Sequence, residues 1–140
     1  MRVLTLGVGD AFTKLHFGSS ALIEGPHGYV LLDCPDLIHR TSHEATSRAR
    51  WDVDASKIHD ILLTHLHSDH CNGLESFAFA RMILRMQDSS VSLPRIYINE
   101  PASGRIWERL APAHSTNRPS QATSTRRGLS SRSAKRLLLA

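Results

Sequence analysis

The chain has 140 residues, 41% of them hydrophobic, with 17 Lys+Arg against 13 Asp+Glu and only two cysteines. That length suits one ordinary domain able to bury a core, and the lack of any apolar run of about 18 residues argues against a membrane-spanning helix. Cys34 and Cys71 suit a reducing compartment better than a disulfide framework, and no basic-then-apolar leader opens the chain, so a cytoplasmic location is expected. The net charge of +4 is unevenly spread: residues 1–112 carry 11 Lys+Arg and 13 Asp+Glu, whereas residues 113–140 carry six basic residues and no acid. The basicity belongs to the tail and says little about a folded part.

Val3-Leu4-Thr5-Leu6 reads as a strand ending in Gly7-Val8-Gly9-Asp10, a turn expected to use glycine's freedom in φ. A dinucleotide loop is not expected there, because the third glycine and a following helix are missing. Ser20–Glu24 and Tyr29–Asp33 flank Gly25-Pro26-His27-Gly28 and predict a β-hairpin. The polar stretch 37–50 predicts a helix with a thin apolar stripe, and 54–57 a turn into a strand at Ile58–Leu63. Asn72 can cap a helix reaching about Gln87, with Leu74, Phe77, Ala78 and Met82 on one face and Phe79, Ala80, Ile83 and Leu84 on the other. Apolar residues on both faces predict a well-buried helix. Arg95–Asn99 is a further strand, and Pro101 opens a helix lined by Ile106, Trp107 and Leu110. Beyond Pro112 Ser, Thr and Arg dominate without period, so 113–140 is expected to be a disordered basic tail, with nonspecific nucleic-acid contact as the weaker alternative. Strands before and between helices indicate a layered α/β architecture.

The chemistry concentrates in Thr64-His65-Leu66-His67-Ser68-Asp69-His70, an HxHxDH pattern fed by an apolar strand and followed by a helix start. Imidazoles and a carboxylate at this density are ligands for a first-row metal, zinc by default and iron or manganese as alternatives. On an extended segment His65 and His67 point to one side and Asp69 can follow them, while His70 points elsewhere or turns with the backbone. His65 and His67 would hold one ion, and Asp69 and His70 a second, so that two neighbouring ions could share and activate a hydroxide. A histidine-rich surface patch is the competing explanation, since the chain has nine histidines. His16, His27, His39, His43, His59 and His114 have no partner at ligand spacing and read as solvated or hydrogen-bonded side chains. Cys71 reads as a small buried side chain rather than a soft ligand. Asp33, at a strand end before Cys34-Pro35, is either a turn residue or a buried carboxylate that accepts a bond from a metal-bound histidine.

Leu62-Leu63-Thr64-His65-Leu66-His67-Ser68-Asp69-His70 resembles the signature of the metallo-β-lactamase superfamily. Leu6–Phe12 is similar to the opening strand and glycine turn of its ribonuclease Z-like branch. Leu31-Leu32-Asp33-Cys34 resembles that branch's Asp-Cys-Gly segment, with Pro35 in the glycine's place, and Asp69–Leu74 has its DHxxGL form. The resemblance covers about residues 1–110 and implies the N-terminal half of an αββα sandwich, with a mixed sheet and flanking helices, in a partial domain over 1–112. It also implies one or two zinc ions on His65, His67, Asp69 and His70, with Asp69 orienting a metal-bound hydroxide that attacks a phosphodiester or ester in a small molecule or nucleic acid. Members of the family run to about twice this length and draw further ligands from their second half. The composition break at Pro112 therefore reads as a frameshift, a truncation or a misplaced gene end. The alternative to a hydrolase is a catalytically incomplete, metal-binding or partner-dependent half-domain. It would associate with itself through an exposed sheet face.

Overall fold

The structure is a computed structural model and describes residues 1–110 and 134–138. Six strands form one sheet in sequence order: β1 (Arg2–Gly7), β2 (Ser20–Gly25), β3 (Gly28–Leu32), β4 (Ile58–Leu62), β5 (Arg95–Asn99) and β6 (Ala134–Leu138). The β1/β2, β2/β3 and β5/β6 pairs are antiparallel, whereas β3, β4 and β5 run parallel. Helix α1 (Ile38–Ala49) and a 3-10 turn (Ala55–Lys57) connect β3 to β4. Helices α2 (Ser68–Cys71) and α3 (Leu74–Gln87) connect β4 to β5, and α4 (Glu100–Ser103) and α5 (Ile106–Leu110) follow β5.

The register sets the core. Leu22, Leu31, Ile61 and Ile96 are consecutive cross-strand partners from β2 to β5, and all four are fully buried. Because side chains alternate along a strand, these four share a face. Ile38 of α1, Leu74 and Phe77 of α3, and Ile106 of α5 join them in one buried cluster. The next row, Thr5, Ala21, Leu32, Leu62 and Tyr97, lies on the opposite face, where Leu62 keeps 40% of its surface exposed.

Three sequence expectations need correction. The first glycines serve close approach rather than φ: among the described residues only Gly28 is a glycine with positive φ. A Cβ on Gly7 would lie 2.2 Å from the Gly18 carbonyl oxygen, and one on Gly9 2.9 Å from that of Phe17. Helix α3 starts one residue later than expected, with Gly73 as its N-cap and Asn72 closing α2. It buries only Leu74, Phe77 and Arg81, while Phe79, Met82 and Ile83 are exposed, because only one face meets the sheet. The stretch 113–140, expected to lack structure, falls outside the described residues except at Ala134–Leu138, which form β6. The outer edge of β5 offers unpaired N–H and C=O groups, and β6 satisfies them through backbone pairing that no side-chain pattern announces.

Candidate metal centre

Ligands in open parallel sheets gather beyond the carboxyl ends of the strands. Here Asp33 follows β3, and Thr64–His70 follow β4. The two connections are laced together: the Asp33 N–H donates to the Leu62 carbonyl (2.9 Å), Cys34 N–H to His70 (2.8 Å) and Gly73 N–H to Cys34 (2.8 Å). This lacing needs Gly73, since a Cβ there would sit 2.1 Å from the Pro35 carbonyl oxygen.

Asp33 organises the cluster. It is 4% exposed and adopts φ 56, a left-handed conformation that aspartate tolerates better than most residues. Its carboxylate accepts from Thr64 N–H (2.8 Å), from Thr64 Oγ1 (2.8 Å) and from His70 Nδ1 (2.8 Å). A carboxylate only accepts, so His70 carries a hydrogen on Nδ1, and in the neutral ring Nε2 is the lone-pair nitrogen. The same logic reaches His65. The Thr64 hydroxyl gives its single hydrogen to Asp33, so the 2.9 Å contact between Thr64 Oγ1 and His65 Nδ1 places the hydrogen on that nitrogen. In the neutral ring His65 Nε2 is then the lone-pair nitrogen as well, 3.1 Å from His67 Nδ1.

The His65 and His70 rings meet at a 46° tilt with centroids 4.1 Å apart, and Asp69 Oδ2 lies 3.5 Å from His70 Nε2. His65, His67, Asp69 and His70 are thus brought together, although His65 and His67 lie beyond the end of β4, with the His67 backbone extended. Asp69 and His70 sit on α2, which turns His70 back towards His65. Sequence reasoning left Asp33 open between a turn residue and a support for a histidine, and it missed Thr64, which bridges Asp33 and His65. Its position before the first histidine was the available signal.

Imidazole Nε2 of His70 and the Asp69 carboxylate are donors of the types a first-row metal takes, so the donor chemistry fits such an ion. The donor number does not complete a cage: among the described residues no group of three or more His, Cys, Asp or Glu side chains is arranged around one ion. Cys34 and Cys71 are buried free thiols, and burial followed by the proximity of Cys71 pushes the Cys34 thiol up, well away from thiolate ligand chemistry. No helix among the described residues is long and apolar enough to cross a membrane.

The sheet order and the histidine cluster at its carboxyl edge define a metallo-β-lactamase fold. Human tRNase Z, short form, superposes with a TM-score of 0.59 at 24% identity, covering 81% of this chain and 41% of that one. The metallo-β-lactamase fold protein YhfI from Bacillus subtilis gives 0.52 at 21% identity, covering 61% and 32%. Within that fold the chain belongs to the family described as Anti-Pycsar protein Apyc1, whose profile matches residues 1–125, past the composition change at Pro112. The Anti-Pycsar protein Apyc1 of Paenibacillus sp. (strain J14) is 32% identical over 108 residues, covering 77% of this chain and 40% of that protein. The chain therefore spans about two fifths of the length of the curated relatives it matches. This family was not reached from the sequence, which led only to the fold and a ribonuclease Z-like branch.

Proposed function

We propose that this chain carries half of the active centre of a metal-dependent hydrolase that cleaves a phosphodiester, small cyclic nucleotides being the first class to test. The observation that carries the reading is the hydrogen-bond chain from Asp33, which engages Nδ1 of both His65 and His70 and so leaves Nε2 of each ring as the nitrogen available to a metal. In this reading His65 and His67 hold one ion, and Asp69 and His70 hold a second; zinc is the first candidate, with iron and manganese as alternatives. Such an ion, when bound, supplies Lewis-acid charge and a water of lowered pKa. The protein's own contribution is positional. Asp33 fixes the tautomers and ring planes, and Asp69, with a side chain 18% exposed, accepts a hydrogen bond from the attacking water and aligns it.

A second reading is favoured by the donor count: two protein ligands per ion are fewer than zinc ordinarily takes. In it, these 140 residues bind metal weakly and do not turn over alone. One experiment addresses both. The purified chain is titrated with zinc and assayed against a chromogenic phosphodiester and a cyclic mononucleotide, beside His67→Ala. Zinc-dependent hydrolysis abolished by the substitution supports the hydrolase reading. Zinc binding lost in His67→Ala, without hydrolysis, supports the half-centre. Binding or activity indifferent to His67 would refute the ligand roles.

A further inference from the structure

We infer that Cys34 and Cys71 are a redox pair: oxidation joins them in a disulfide that ties together the two loops of the cluster and displaces Asp33 from His70. The inference rests on the metal-centre reading and adds a means of switching that centre off.

The chain has two cysteines, distant in sequence, and the fold brings them to one place. Both belong to the same buried cluster, 0% and 2% exposed. Cys34 follows Asp33 beyond β3, and Cys71 follows His70 at the end of α2. The Cys34 N–H donates to the His70 carbonyl (2.8 Å), and the Gly73 N–H to the Cys34 carbonyl (2.8 Å). The peptide group that accepts from Cys34 is the one joining His70 to Cys71. Adding that hydrogen bond to the covalent lengths puts the two Cα atoms within about 7 Å, a span a disulfide can bridge. A charge on Cys71 also bears directly on the Cys34 thiol, as it does only between neighbours.

The proposed metal chemistry calls on neither sulfur. Cys71 sits on a four-residue helix, held by His70 N–H on His67 (3.0 Å) and Asn72 N–H on Ser68 (3.0 Å). One helical turn is marginal by itself, so its opening is the step that admits an oxidant to the shielded sulfurs. The oxidant is a hydroperoxide. With hydrogen peroxide, one thiol attacks, the O–O bond breaks, and a sulfenic acid forms as one water leaves. The second thiol displaces the sulfenic hydroxyl as another water, and the S–S bond forms. The pair gives up two electrons, which the peroxide gains, and both thiol protons end in water. A dithiol reductant reverses the step. The bond draws the two Cβ atoms to about 3.8 Å. Asp33 and His70 are the chain neighbours of the two cysteines, so the hydrogen bond between them, 2.8 Å long, is the contact that gives.

The test treats the metal-free 140-residue chain with hydrogen peroxide, digests it with trypsin without reductant, and counts thiols in urea. Both thiols should disappear. Peptides 15–40 and 58–81 should be joined in a chain that stays monomeric, and dithiothreitol should part them. Cys71→Ser should give no joined pair; the wild-type readings carry the test if that variant fails to fold. Two persisting thiols, oxygen added to each cysteine separately, or a disulfide between two chains would overturn the inference. Zinc should bind the oxidised chain about tenfold more weakly than the reduced one. An affinity within about twofold, or a tighter one, would also overturn it. A reduced chain that binds no zinc would remove the metal reading by itself. The His70 ring signals in NMR spectra of the metal-free chain then decide: a shift on oxidation supports the switch, and identical signals overturn it.

Discussion

Replacing Asp33 separates folding from metal binding. In Asp33→Ala, the Thr64 N–H and the His70 Nδ1–H lose their acceptor, each now held at 2.8 Å. An unsatisfied buried donor costs about 1–3 kcal/mol, and the Thr64 hydroxyl can turn to water because that residue is exposed, so the expected loss is roughly 2–4 kcal/mol. Asp33→Asn should behave differently. Asparagine also tolerates the left-handed conformation, and its oxygen can still accept from Thr64 N–H, so destabilisation should stay near 1 kcal/mol. Its amide nitrogen, however, would face His70 Nδ1 and donate to it. That moves the imidazole hydrogen to Nε2 and removes the lone pair next to Asp69. Zinc affinity should therefore fall about 10–100-fold although the fold survives. Urea unfolding followed by circular dichroism, together with zinc titration of both variants, reads the two effects. Wild-type zinc affinity in Asp33→Asn, or an Asp33→Ala variant within about 0.5 kcal/mol of wild type, would show that Asp33 does not organise the cluster.

Three further outcomes follow from the packing. Gly73→Ala should cost about 1–3 kcal/mol, since its Cβ would meet the backbone oxygens of Pro35 and Cys34 at 2.1 and 2.9 Å, and a melt indistinguishable from wild type would count against the lacing of the two loops. Arg81 is fully buried on α3 and donates to the carbonyls of Ala55, Ser56 and Ser92. Arg81→Met should cost roughly 2–4 kcal/mol by stranding those carbonyls, and Arg81→Lys should recover little, because one ammonium does not span both connections. Burial, and then the neighbouring Arg81 charge, hold the His59 imidazole below its usual range. The unfolded chain then binds the proton more readily, so stability is fully present above about pH 6.5 and is lost as the pH falls through the folded value. Unfolding midpoints compared at neutral and mildly acid pH should show this decline, and His59→Gln should flatten it; an unchanged acid slope in that variant would disprove the contribution.

Self-association through the open sheet face remains a proposal tied to the half-domain reading. Its sign would be a concentration-dependent sedimentation coefficient that Leu62→Lys abolishes, since Leu62 is exposed on that face.

The local sequence determined what depends on short-range pattern. Short apolar runs bounded by glycine and proline turns at Val3–Leu6, Ser20–Glu24 and Tyr29–Leu32 marked the first three strands, and the spacing of His65, His67, Asp69 and His70 marked the candidate metal site. Residue type and spacing are properties of a few consecutive residues, so a candidate cluster is legible without the fold. The tertiary structure decided what depends on residues far apart in the chain. Asp33 was ambiguous between a turn residue and a support for a histidine, because its partners Thr64 and His70 lie 31 and 37 positions away. The short helix α2, which turns His70 towards His65, escaped a reading by strand period. The exposed outer side of α3 could not be read from its composition either, since exposure depends on where the sheet lies. Strand β6 is the clearest case: pairing with β5 is a property of backbone hydrogen bonds, and those are the same for every residue but proline.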